Sequence, residues 1–142
     1  LTGHLVLSTL HTNDAPSAIT RLVDLGVAPY LVASTVEAVL AQRLVRVICS
    51  ACGGNDGPTV RRSDGLSSCE QCRGTGFHGR TGIYELLVLD EAMRAEIGRQ
   101  RSAGDLRRMA IERGMRTLRE DGLRQVRAGV TTMEEVLRVT QG

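Results

Sequence analysis

The chain opens on a nearly continuous apolar run, Leu5, Val6, Leu7 and Leu10, with no polar alternation. Such a run predicts a strand over residues 3–10, buried on both faces of a parallel sheet. Asn13 or Asp14 then offers a helix cap with Pro16 in the first turn, and Ile19, Leu22 and Val23 share one face before Gly26 ends the helix. A second helix is predicted from Pro29 to about Gln42, on a stripe of Val32, Val36, Val39 and Leu40. Residues 44–49 (LVRVIC) suggest a strand, 53–68 a turn-rich polar loop that reads as mobile, and 79–89 (GRTGIYELLVL) a returning strand. From Asp90 onward the pattern is helical in four pieces: DEAMRAEIG, AGDLRRMAIERG, TLREDGLRQVRAG and TTMEEVLRV. Leu106, Met109 and Ala110 mark one core stripe of that region, and Leu118, Gly122 and Val126 another.

The four cysteines change this picture. They form two pairs, Cys49-x-x-Cys52 and Cys69-x-x-Cys72, with 16 residues between them. Each C-x-x-C turn points two sulfurs at a common centre, and two turns complete a tetrahedral thiolate shell suited to Zn²⁺. Gly53, Gly54, Gly74 and Gly76 supply the tight backbone that wraps a metal. A shell of four sulfurs has no open position, so the zinc is expected to be structural. Its removal should unfold residues 49–78 locally and leave the helices largely intact. Two disulfides, or a redox pair, are the competing readings. The first asks for an oxidising compartment and the second for one pair rather than two.

Composition narrows the chemistry. All 18 basic residues are Arg, so no Walker A lysine and no lysine-based catalysis is available in this chain. Tyr30, Phe77 and Tyr84 are its only aromatics, which argues against a base-stacking surface. The formal charge of +2 falls to about zero when four thiolates bind one divalent ion, and does not ask for nucleic acid. No apolar run reaches the roughly 20 residues of a membrane helix. No signal peptide opens the chain, which begins with Leu1 in what reads as the lead-in to the predicted strand and so reads as a piece of a longer protein.

The polar cluster at the exit of the first apolar run, Ser8, Thr9, His11, Thr12 and Asn13, exceeds what a core strand needs. In open parallel sheets ligands sit beyond the carboxyl ends of strands. The same residues also read simply as the cap of the following helix.

Several segments together carry a resemblance. GHLVLSTLHTNDAPSAITRLVDLGVAPYLVASTVEAVLAQRLVRVIC, the paired cysteines, GTGFHGRTGIYELL and GMRTLREDGLRQVRAGVTTMEEVLRVT resemble the part after Walker B of the secretion ATPases of type II secretion and type IV pilus assembly. NDAPSAITRL, VEAVLAQRLVR and TTMEEVLRVT are more similar to the type II secretion form. The resemblance implies an α/β fold: the C-terminal portion of a RecA-like ATPase domain with a tetracysteine zinc-binding insert and a helical C-terminal subdomain. It divides the chain into 1–48 (ATPase core, with Walker A and B missing), 49–78 (zinc insert) and 79–142 (returning strand and helical subdomain).

By the same resemblance, residues 3–13 match the family's His box. His11 is then the catalytic sensor of the γ-phosphate, and Ser8, Thr9 and Thr12 are nucleotide-proximal. Arg21 and Arg43, and beside them Arg46, are candidates to reach a phosphate across a subunit boundary. His4 and His78 are expected to be structural or solvent-facing. Cys49, Cys52, Cys69 and Cys72 hold Zn²⁺, while ATP and Mg²⁺ belong to the full-length protein. That protein would be a cytoplasmic hexamer, peripheral at the inner membrane, gripping membrane-bound secretion components and no nucleic acid. It would drive pseudopilus assembly, and this piece alone would be inactive. A different class of function, a zinc-ribbon adaptor binding protein or nucleic acid, is separated from it by a salt-dependent DNA gel shift.

Overall fold

The computed structural model describes residues 3–54, 60–62, 65–67 and 69–141. Its elements are α1 (Ala15–Asp24), α2 (Pro29–Thr35), β1 (Ala38–Ile48), β2 (Val60–Arg62), β3 (Gly65–Ser67), β4 (Phe77–Val88), α3 (Glu91–Gly98), α4 (Ala103–Glu112), α5 (Leu118–Arg127) and α6 (Met133–Thr140). β1 pairs with β4, and β2 pairs antiparallel with β3, Arg61 opposite Leu66. The described chain falls into two compact units. One holds residues 1–42 and 84–118, the other 43–83 and 119–142.

In the first unit, Asp14 caps α1 by accepting from the Ser17 N–H at 2.8 Å, with Pro16 in the opening turn. The helix ends at Gly26, φ +93, where the Val27 N–H reaches back to the Leu22 carbonyl at 3.1 Å and the Gly26 N–H to Val23 at 2.9 Å. Ala15, Ile19, Val32, Leu87, Leu89, Met93, Ile97, Leu106, Ala110 and Met115 form the buried aliphatic core. The predicted stripe of α4 is part of it, Met109 at its margin.

In the second unit the end of β1 is enclosed on its free edge. The Ile48 N–H donates to the Val130 carbonyl at 2.9 Å, and the Thr131 hydroxyl donates to the Arg46 carbonyl at 2.7 Å. Val45, Ile83 and Val136 are its fully buried aliphatic residues.

Three expectations are corrected. Residues 3–10 are not a buried strand. Leu5, Val6 and Leu7 are 81, 80 and 88 % exposed, and among the described residues no strand pairs with them. An apolar run becomes a buried strand only where neighbouring strands take up its backbone groups. The helix from Pro29 stops at Thr35, and Val36 is already extended at ψ 124. The run VEAVLAQRLV fits both helical and alternating periods. Pairing decides between them: β1 takes Ala38–Ile48, and the Leu89 N–H donates to the Glu37 carbonyl at 3.0 Å. Within 53–68, read as a loop, β2 and β3 form a hairpin, while residues 55–59, 63–64 and 68 lie outside the described residues. The returning strand appears as β4, beginning two residues before the predicted start, and all four helical pieces appear as α3–α6.

Candidate metal centre and the His11 segment

β1 delivers Cys49 directly after its last residue, and the chain then turns sharply, the Gly53 N–H donating to the Cys49 carbonyl at 2.8 Å. Gly54 has φ +74, and a Cβ there would lie 2.8 Å from Ile48 Cγ2, so the turn needs glycine on two counts. The second turn repeats the pattern: the Arg73 N–H donates to the Cys69 carbonyl at 2.6 Å, and the N–H and hydroxyl of Thr75 donate to the Cys72 carbonyl at 3.1 and 2.7 Å. One backbone bond ties the turns together, from the Cys49 N–H to the Gly76 carbonyl at 2.9 Å.

These turns bring the sulfurs to one centre. Cys49 and Cys69 Sγ are 3.9 Å apart, Cys52 and Cys72 Sγ 3.7 Å apart, and all four lie within 4.8 Å of one another. A tetrahedral site with metal–sulfur bonds of about 2.3 Å has sulfur–sulfur edges of roughly 3.8 Å, so the four residues fit one metal ion. Disulfide bonds require about 2.05 Å, and all four cysteines are free thiols.

The environment splits their acidities. Burial resists ionisation of Cys72, but the N–H groups of Gly76 and Gly74 and the Cys69 and Cys52 thiols outweigh it and bring the Cys72 thiol down to about 6. At Cys52 the Gly54 N–H favours the thiolate, but burial and the sulfurs of Cys72, Cys49 and Cys69 outweigh it and push the thiol up to about 11. The backbone N–H groups around Cys72 thus favour its thiolate, the form in which a cysteine ligates a metal. Beyond the sulfurs, the Cys49 thiol faces Gln71 Oε1 at 3.6 Å, and the exposed His78 places Nδ1 3.1 Å from the Gln71 carbonyl.

The candidate nucleotide residues are placed differently. Ser8, Thr9 and His11 lie on the exposed segment before α1, not at the end of a paired strand. Thr12 is half-buried and its hydroxyl donates to the Asp14 carbonyl at 3.1 Å. The first amides of α1 are engaged by carboxylates: Ala15 N–H by Glu85 at 2.9 Å and Ser17 N–H by Asp14 at 2.8 Å. Arg21 is exposed in the last turn of α1, and Arg43 is half-buried on β1 in the other unit. Arg46 is committed within its unit: its guanidinium meets Glu135 at 2.7 Å and lies 4.2 Å from the Phe77 ring centroid. His4 is exposed.

Two acidic residues that sequence reasoning passed over organise these units. Glu85 is 1 % exposed and accepts from the N–H of both Ala15 and Leu118. Its signal was parity: in IYELL it occupies the same inward register as Ile83 and Leu87. Glu135, 2 % exposed, gathers Arg46 and Arg138. Those two guanidiniums, Arg138 first, hold its carboxyl far below the usual carboxylate range against the cost of burial.

The chain belongs to the type II/IV secretion system protein family, whose model matches residues 1–138. It is 52% identical to the type II secretion system protein HxcR of Pseudomonas aeruginosa, covering 99% of this chain and 29% of that protein. It is 50% identical to the type II secretion system protein E of the same organism, covering 99% and 30%. With the type IV pilus assembly ATPase PilB of Thermus thermophilus it shares 47% identity over 99% of this chain and 17% of the relative. The chain thus spans less than a third of the length of each of these relatives. Among the described residues no helix is long and apolar enough to cross a membrane.

Proposed function

We propose that this chain is the C-terminal portion of a RecA-like motor ATPase that powers type II protein secretion. The whole protein works as a hexameric ring at the cytoplasmic side of the inner membrane, grips membrane-bound secretion components and drives pseudopilus assembly. The observation that carries the reading is the match along nearly the whole chain to secretion and pilus-assembly proteins, one of them named an ATPase. In this reading residues 1–48 belong to the ATPase core, 49–78 form the zinc-binding insert, and 79–142 supply the returning strand and helical subdomain.

The cysteine cluster holds Zn²⁺ through Cys49, Cys52, Cys69 and Cys72. Four thiolates fill a tetrahedral shell, so the ion staples two turns and activates no water. ATP and Mg²⁺ are held chiefly by residues outside this chain, which has no lysine for the phosphates. His11 donates an imidazole N–H to a γ-phosphate oxygen, and loss of that acceptor on hydrolysis releases the segment leading into α1. Because Glu85 and Asp14 already engage amides in the first turn of α1, the phosphate contact falls to side chains of the preceding segment: His11, with Ser8 and Thr9 as hydroxyl donors, beside Thr12, whose own hydroxyl donates to the Asp14 carbonyl. Arg21 and Arg43 are the candidates for a phosphate contact in trans.

The test is ATP hydrolysis by a longer protein that joins this chain to a preceding P-loop and acidic strand-end motif. Turnover is expected there and absent from the 142-residue chain, and His11→Ala lowers kcat by about tenfold or more with little change in KM. Metal-dependent turnover by the purified chain alone, or full activity of the His11 variant, would overturn the assignment.

A further inference from the structure

The second unit contains a chain of contacts running from the cysteine cluster to the C-terminal helix, and it passes through Arg46. Three residues before Cys49, Arg46 is held through its backbone and its guanidinium alike. Its backbone N–H donates to Glu135 Oε2 at 3.1 Å, its guanidinium to Glu135 Oε1 at 2.7 Å, and its carbonyl accepts from the Thr131 hydroxyl at 2.7 Å. The same guanidinium lies over Phe77, 4.2 Å from the ring centroid. Phe77 directly follows Gly76, whose carbonyl takes the Cys49 N–H. Ile48, between Arg46 and the first ligand, donates to the Val130 carbonyl and packs over Gly54 in the first cysteine turn.

From this arrangement we infer that Arg46, Phe77 and Glu135 are positioning residues for the metal centre, so that metal binding and the docking of α6 stabilise each other. The inference rests on the cluster binding zinc. A metal that fixes both cysteine turns fixes Cys49 against Gly76, and with them the ring and the guanidinium that Glu135 grips. Conversely, a Glu135 carboxylate that holds both the backbone and the side chain of Arg46 keeps β1 aimed at the cluster. Partners outside the ligand shell commonly change metal affinity by about 10–100-fold. A coupling of this kind is reciprocal, because metal must favour docked α6 by the same factor by which docked α6 favours metal.

The experiment uses the 142-residue chain, loaded with zinc and stripped by chelation. Amide hydrogen exchange is read by NMR, and zinc affinity by competition with a chromophoric chelator. Zinc removal is expected to speed exchange across Val136–Thr140 by roughly fivefold or more while amides of α3 and α4 hold their rates. Glu135→Gln and Phe77→Leu each weaken zinc by about tenfold. Arg138→Ala, which removes a partner of Glu135 that is not on β1, stays within about twofold of the parent. Unchanged α6 exchange on zinc removal overturns the coupling without any variant, and should Glu135→Gln not fold, parental zinc affinity in Phe77→Leu does the same. A parent chain that binds no zinc overturns the metal reading itself, and the coupling with it.

Discussion

The carboxylate of Glu85 accepts from the backbone N–H of Ala15, 70 residues away in sequence, at 2.9 Å. Its second oxygen accepts from Leu118 N–H at 3.1 Å. One buried acid on β4 therefore serves the first residue of α1 and the first residue of α5, where unsatisfied helix amides and helix dipoles both favour a negative charge. Glu85→Ala leaves two buried donors without an acceptor and is expected to cost about 3 kcal/mol in denaturant unfolding. Glu85→Gln keeps one acceptor but turns an NH₂ group toward the other N–H, so its loss should be smaller and confined to faster exchange at one of the two amides. An alanine variant within about 0.5 kcal/mol of the parent would show that neither bond matters.

At the end of α3 the chain adopts the left-handed conformation with a residue poorly suited to it. Gln100 has φ +57, with its N–H on the Ile97 carbonyl at 2.9 Å and the Arg101 N–H on Glu96 at 3.3 Å. α1 ends in the same hydrogen-bonded turn, but through glycine, which has no Cβ to crowd the following carbonyl. Gln100 is exposed, so its side chain offsets little. Gln100→Gly is expected to stabilise the first unit by about 1 kcal/mol, measured by chemical denaturation. A loss of stability would mean that backbone entropy, not left-handed strain, governs this turn.

Glu135 sets an acid limit on the second unit. Its native carboxyl, held down by Arg138 and Arg46, ionises far below the usual glutamate value, whereas the unfolded chain takes up that proton near about 4.3. A depressed native value contributes stability in full above the unfolded value and loses it as pH falls toward the native one. Arg46 and Arg138 are each about half exposed, so solvent screens part of the attraction. Between about pH 5 and pH 3 the stability gap between the parent and Glu135→Gln should narrow, while near neutrality it stays constant. A gap independent of pH across that window would show that the ion pairs contribute nothing net.

What the sequence made legible was local. The cap at Asp14, the stop at Gly26, the stripe of α4 and the cysteine turns each depend on residues within a few positions of one another. The residues that were missed depend on separation: Glu85 finds partners 70 and 33 positions away, and Glu135 meets Arg46 across 89. Parity along β4 hints that Glu85 faces inward, but nothing local says which helices it meets. The fate of Val36–Gln42 was undecidable for a related reason, since an apolar run of two compatible periods is settled by whichever strand pairs with it. The exposed Leu5–Leu7 run shows the same dependence from the other side.

The approach of α5 to α6 gives the last prediction, and its sign is contested by two effects. Gly122 sits inside α5, where replacing glycine by alanine ordinarily gains about 1 kcal/mol of helix propensity. Here a Cβ would lie 2.5 Å from Val136 Cγ1 and 2.9 Å from Cγ2. Val136 is fully buried on α6, and a β-branched side chain in a helix has essentially one χ1 rotamer, so it has nowhere to turn. Overpacking of this kind costs about 1–3 kcal/mol, which outweighs the propensity gain and makes Gly122→Ala destabilising in the second unit. Val136→Ala alone leaves a cavity and also destabilises. Combined, the added methyl fills space that the lost ones vacate, so the double variant should be more stable than the two losses together allow, by more than about 0.5 kcal/mol in a double-mutant cycle. Strictly additive losses would mean that the helices can move apart at no cost and that Gly122 is not there to let them touch.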